Sequence, residues 1–176
     1  MSYSAGSVLA VRTFPHPHLK SPSQSIGAIT PLVRRLVADL IETMRAHPRC
    51  VGLAAPQVGV NLRVAVIDVT GHPKVARSHG LMVCLNPRIA AQEGQSVQRE
   101  GCLSVPDLTG NVGRATRVLV EALDETGKPW RRWLDGFEAI AAQHEIDHLD
   151  GKLFLDRVVS LKTDLFQRKN YGARTH

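Results

Sequence analysis

The chain has 176 residues, a formal net charge of +6 and an ordinary globular composition that is poor in aromatic residues. That length suits a single domain with a real core, and no apolar run approaches the ~20 residues that a membrane helix requires. The basic balance leaves contact with RNA or a ribosomal surface open, although no stretch carries the interleaved aromatics and cations of a nucleic-acid motif.

Residues 1–29 alternate short apolar pieces such as Val8 to Val11 with Pro15, Pro17 and Pro22, which predicts an extended arm. Those pieces are too short and too interrupted for a secretory signal. No Asp or Glu precedes Asp39, a feature shared with transit peptides, but the first helix begins near Thr30 and leaves little dispensable leader. Thr30-Pro31 reads as an N-cap followed by proline at the first helical position. Leu32, Val33, Leu36, Val37, Leu40, Ile41 and Met44 recur at helical period, predicting an amphipathic helix to about Arg45 that stops at His47-Pro48. After a loop at 49–61, Leu62 to Val69 reads as a strand, Leu81 to Leu85 as a second, and 88–92 and 96–100 as shorter pieces. Thr116 to Leu123 and Trp130 to Leu134 flank Asp124-Glu125-Thr126-Gly127-Lys128, a hairpin by its turn chemistry. Strands bracketed by two helices, with antiparallel hairpins, predict an α+β fold in one domain over 1–176. The cysteines Cys50, Cys84 and Cys102 make no complete disulfide framework, so a reducing compartment is expected.

The second helix carries the strongest chemical signal, Gln143-His144-Glu145-Ile146-Asp147-His148-Leu149. His144 and His148 stand one helical turn apart and project from the same face. Two neutral imidazoles at this spacing suit a divalent transition metal, and Glu145 beside them suits a general base for the metal's water. Asp135 and Glu138 suggest a capping-box start, and Gly151 a C-terminal stop. Phe137, Ile140 and Ala141 share the histidine stripe, which is expected to face the core. The bland alternative is a pair of core histidines beside a solvated charge run.

A catalytic metal needs a third protein ligand and an open position. Downstream of His148 stand only His176, on a terminus expected to fray, and several carboxylates. Upstream, Glu100-Gly101-Cys102-Leu103-Ser104-Val105-Pro106 sets a tight turn in which Cys102 offers a thiolate, although a cysteine taken alone is more often structural. In Val51 to Gly59, small residues let a backbone approach a ligand, and the amide of Gln57 can donate to a developing oxyanion. An ordinary tight loop explains that stretch equally well.

Together the three stretches resemble peptide deformylase, whose pattern is Gly-φ-Gly-φ-Ala-Ala-x-Gln, Glu-Gly-Cys-φ-Ser and Gln-His-Glu-x-Asp-His-φ, with φ apolar. Here they run from Cys50 to Gln57, Glu100 to Ser104 and Gln143 to Leu149, in the same order, and the resemblance covers nearly the whole chain. It implies a compact domain with antiparallel sheets around a central metal-binding helix. Its implied activity is hydrolysis of the N-terminal formyl group of new proteins, and its implied partners are N-formylmethionyl nascent peptides. By the same resemblance Cys102, His144 and His148 are metal ligands, and Glu145 is the base and later the acid. Gln57 and the Leu103 N–H form the oxyanion hole. Val51, Gly52 and Gly101 meet the peptide in an extended mode, and Ile140 and Ala141 line a methionine pocket. Iron(II) is the implied native metal, with nickel, cobalt or zinc as substitutes. The implied compartment is a bacterial cytoplasm, with an organelle left open.

The sequence departs from the family pattern in places. Cys50 replaces the first glycine, and it is expected to keep a negative φ and to turn its side chain away from the peptide groove. Thr109 stands where several relatives carry an arginine near the peptide-binding rim. The tail is short for ribosome docking, although Lys162, Arg168 and Lys169 keep it basic. Glu100 and Arg114 are expected to pair across the Cys102 turn. A general metalloendopeptidase would share the helix but has no use for Glu-Gly-Cys-Leu-Ser. A structural-metal module would need four closed ligands and no Glu145.

Overall fold

The computed structural model describes residues 6–168, so His176 and Lys169 lie outside the described residues. Helix α1 (Pro31–Ala46) starts as expected: Thr30 is the N-cap, its hydroxyl accepting the Val33 N–H at 3.4 Å, and Pro31 opens the first turn. His47 is the C-cap. The buried stripe Val33, Leu36, Val37, Leu40, Ile41 and Met44 packs against one face of a five-stranded antiparallel sheet.

That sheet runs in the order β1 (Gly52–Ala54), β2 (Val64–Ile67), β3 (Met82–Glu93), β6 (Arg117–Leu123) and β7 (Pro129–Asp135). Side-chain alternation along a strand decides which helix each residue meets. Val64, Val66, Val83 and Leu85 join the cluster under α1. Ala65, Ile67, Met82 and Cys84 join Val118, Val120 and Leu134 under the second helix, α2 (Gly136–Leu149). Covered on both faces, β2 is apolar throughout, so it reads as an unbroken hydrophobic run.

A second sheet, β4 (Ser96–Cys102), β5 (Val105–Arg114) and β8 (Leu165–Gln167), encloses a smaller core of Leu19, Cys102, Val105, Val112, Leu153 and Phe154. β5 and β8 are absent from the sequence reading. Pro106, Gly110 and Gly113 look like strand breakers, yet Gly110 is there because a Cβ would meet Val158 Cγ2 at 2.8 Å and the Phe154 ring at 3.1 Å. The expected pieces at 81–85 and 88–92 are one long strand, β3, whose pairing shifts register around Asn86 at φ 51°. The expected loop at 49–61 contains β1 and a 3-10 turn over Ala55–Val58, both too short for a periodic signal. The β6–β7 hairpin forms as read, with Asp124 Oδ1 accepting from the N–H groups of Thr126 and Lys128.

α2 is buried nearly all round: every residue from Glu138 to Leu149 is buried except His144. Its expected capping box does not form. Asp135 is the N-cap by position but makes no capping bond, and its carboxylate pairs with Arg117. The Glu138 carboxylate instead accepts the backbone N–H of His79 at 2.9 Å and pairs with its ring at 2.7 Å. The C-terminal stop is as expected, with Gly151 at φ 71°.

Gly151 is doubly constrained, because a Cβ there would also sit 2.8 Å from the backbone of Ser21. Gly151→Ala is expected to cost about 1–3 kcal/mol of stability through positive-φ strain and collision with the arm. Urea denaturation measures this, and an unchanged midpoint would refute the constraint.

Candidate functional site

The three motifs converge on one groove of about 520 Å³. Cys102 closes β4, the histidines and Glu145 project from α2, and Gln57 comes from the 3-10 turn after β1. One ligand atom each from Cys102, His144 and His148 lies within 4.8 Å of the others. Cys102 Sγ is 3.2 Å from His148 Nε2, and the imidazoles stand edge to face with centroids 4.9 Å apart. Burial by itself would raise the Cys102 thiol, but His148 and His144 outweigh it and hold it well below its usual range. That direction favours the thiolate, the form that ligates metals.

The carboxylate of Glu100 accepts from Nδ1–H of His144 at 2.8 Å, so Nε2 is the nitrogen of that ring left to a metal. Burial pushes Glu100 up, yet its bonds to Arg114 and His144 bring it down to about 2, so it stays ionised. Arg114 grips both Glu100 oxygens, at 2.6 and 2.9 Å, as expected from the sequence. It also reaches Asp147 at 2.6 Å, and Arg157 binds the outer side of Asp147. These last two partners escaped the sequence reading. Asp147 stands inside the helix motif, and its one-turn spacing from Gln143 away from the ligand stripe was the available signal.

Gln57 is oriented by its backbone surroundings. Its side-chain oxygen accepts the Ala54 N–H at 2.9 Å, so its NH₂ points at Cys102 Sγ (3.4 Å) and Ser104 Oγ (3.2 Å). Only the oxygen can accept from that N–H, which fixes the flip. Glu145 lies against Gly52: a Cβ on Gly52 would come within 2.5 Å of its Oε1. Its Oε2 is buried and without a partner among the described residues. Burial raises Glu145 to about 7, with the imidazoles opposing and Cys102 and Glu100 adding to the rise.

Of the residues singled out from the sequence, Val51, Gly52, Gln57, Gly101, Cys102, Leu103, Ile140, Ala141, His144 and Glu145 all line the groove. His148 stands behind it, 1% exposed. The stripe Phe137, Ile140, Ala141 and His144 lines the groove, and its Phe137 and Ala141 also pack with the core under α2, as expected. Cys50 keeps an ordinary φ, and Arg49 takes the left-handed one at 64°. Its side chain was expected to turn from the groove, but it both lines the groove and packs on the α1 core. Burial and the nearby Glu145 push its thiol up to about 12, and it donates to the Gly52 carbonyl at 3.1 Å.

One thiolate and two imidazoles beside a buried carboxylate, in an open groove, are the donor set of a metal-dependent hydrolase. The family model for Polypeptide deformylase matches residues 8–164. Peptide deformylase from Halothermothrix orenii is 44% identical over 158 residues, covering 90% of this chain and 98% of that protein. Its counterpart from Alkalilimnicola ehrlichii is 41% identical over 162 residues, covering 92% and 88%. The crystal structure of a peptide deformylase from Legionella pneumophila superposes with a TM-score of 0.81 at 38% identity over 89% of each chain. A Met-Ala-Ser-bound class I type b peptide deformylase from Acinetobacter baumannii gives 0.80 at 34% identity, covering 86% of this chain and 98% of that one. The chain belongs to the polypeptide deformylase family, metal-binding hydrolases that remove N-terminal formyl groups.

If Cys102 is the thiolate ligand, cobalt-substituted protein will show a sulfur-to-metal charge-transfer band that Cys102→Ala abolishes. Cys50→Gly is expected to keep both the band and the metal content under reducing conditions. Persistence of the band in Cys102→Ala, or metal loss in Cys50→Gly, would move the ligand to Cys50.

Proposed function

We propose that this chain removes formate from the N-terminal formylmethionine of peptides, with Cys102, His144 and His148 as metal ligands and Glu145 as general base. The observation that carries the reading is the cluster of those three ligand atoms next to the unpartnered Glu145 oxygen. A divalent ion held by these three residues would supply Lewis acidity towards water. A thiolate with two imidazoles suits borderline ions, and iron(II) is the proposed native one, with nickel, cobalt or zinc as substitutes.

The chain's own groups divide the remaining work. Glu145 takes a proton from the water that attacks the formyl carbon, then delivers it to the leaving amine as the C–N bond breaks. The oxyanion formed at the formyl oxygen accepts from the Gln57 NH₂, already aimed at the site by Ala54, and from the Leu103 N–H. β1 and β4 are both edge strands, and Val51, Gly52 and Gly101 put those two edges on the groove. An extended peptide laid between them adds a strand to each sheet. Ile140 and Ala141, with Phe137, offer the apolar wall for methionine. The Acinetobacter relative's structure holds Met-Ala-Ser, which supports a peptide that begins with methionine as the ligand. Among the described residues no helix is long and apolar enough to cross a membrane. A weak ribosome contact and a cytoplasmic site of action complete the reading, the first carried only by the net charge of +6.

Formyl-Met-Ala-Ser should release formate and a free amine, whereas an unblocked peptide should not be cleaved. Glu145→Gln is expected to retain metal and lose about 10²–10⁴ in kcat. Gly52→Ala, which displaces the Glu145 carboxylate, is expected to lose about 10² with metal still bound. Near-normal turnover of metal-loaded Glu145→Gln would remove Glu145 from the mechanism.

A further inference from the structure

The mouth of the groove is basic. Arg49, Lys74 and Arg99 line it as exposed cations, and Arg168 lines it half-buried. The acids among the lining residues are Glu100 and Glu145, both buried, and Arg114 and His144 already occupy Glu100. The described partners of the mouth cations are uncharged. Lys74 Nζ lies 5.7 Å from the Phe137 ring centroid, and the Arg99 guanidinium lies 3.4 Å above Phe166 while bonding Asn111 and Thr109. Among the described residues, then, no carboxylate pairs with these four cations.

Arg168 holds a special place in this set. Gly101, Thr109 and Phe166 form one row across β4, β5 and β8. Arg168 follows Phe166 by two residues, so it returns to the same face of the sheet. Its backbone N–H donates to the Asp107 carbonyl at 2.7 Å, which anchors the chain there beyond the last paired strand residue. A Cβ at Gly101 would run into Arg168 Nη2, so the guanidinium rests directly over the Gly101 backbone. Gly101 precedes the ligand Cys102, and its strand is an open edge of the groove. A peptide extending outward from the metal along that edge passes beneath the Arg168 charge.

We propose that Arg168 is a specificity-determining residue of this groove. With the neighbouring cations, it selects formylmethionyl peptides that carry acidic side chains directly after the methionine. This rests on the deformylase reading and adds the class of substrate. The charges act on encounter and binding rather than on bond breaking, so the selection falls mainly on KM. Partly solvated pairs of this kind are screened by salt.

The test compares formyl-Met-Ala-Ser-amide, formyl-Met-Asp-Glu-amide and formyl-Met-Lys-Lys-amide at low and high ionic strength, with the metal-loaded enzyme and its Arg168→Gln and Arg168→Glu variants. The readout is the ratio of kcat/KM for the acidic to the basic peptide within each variant, so a general loss of folded enzyme cancels. Wild type is expected to favour the acidic peptide by about 3- to 10-fold at low salt, mostly through KM. Arg168→Gln should shrink the ratio, Arg168→Glu should shrink it further or invert it, and high salt should collapse it. Turnover of all three peptides with equal kcat/KM, or a ratio untouched by both substitutions, overturns the proposal while leaving the deformylase reading intact. No formate from any of the three overturns that reading, and this inference with it.

Discussion

The buried charge of Arg114 is the constraint on which the site depends. It is 4% exposed and holds Glu100 on β4 with one side of its guanidinium and Asp147 on α2 with the other. Such a charge is tolerated only when its partners are complete, because an unpaired ion in this environment costs several kcal/mol. The bidentate clasp thus welds the strand that ends in Cys102 to the helix that carries both histidines. Through Glu100 it also reaches Nδ1 of His144, which leaves Nε2 as the nitrogen that would hold a metal. A buried ion pair is a weak source of stability, but here it fixes the relative position of a strand and a helix.

The N-terminal arm does similar work with backbone bonds. Arg12 N–H donates to the Gln57 carbonyl at 2.6 Å, Phe14 N–H to the Ser104 carbonyl at 2.8 Å, and Ser23 N–H to the Leu149 carbonyl at 2.8 Å. Those three acceptors belong one each to the three motifs. Clamped by the arm behind and by Arg114 between, the groove can leave the edges of β1 and β4 open to a substrate without the two sheets drifting apart. This is the physical content of a preorganised site: the donors and the carboxylate stand in place before the peptide arrives.

Much of this was legible in the sequence because its signals are local. The period of α1, the Thr30-Pro31 start, the Asp124–Lys128 turn and the Gly151 stop each depend on neighbours a few residues away, and each stands as read. The ligand helix was legible for the same reason, since one turn puts His144 above His148. The capping box was misread because Glu138 is claimed by His79, a residue 59 positions away that no local pattern reveals. β5 was missed because Gly110 looks like a breaker until Phe154 and Val158 are seen packing over it.

By itself, then, the sequence determined the metal-ligand types, the carboxylate beside them and the helix that presents them, since residue identity and helical spacing suffice for these. Only the tertiary structure decided that Cys102 comes within 3.2 Å of His148, that Arg114 spans Glu100 and Asp147, and that Cys50 borders the groove. It alone put Arg168 over Gly101, across a three-stranded sheet whose outer strand is three residues long. Such contacts join residues far apart in the chain, and they exist only once burial and strand register have chosen which surfaces meet.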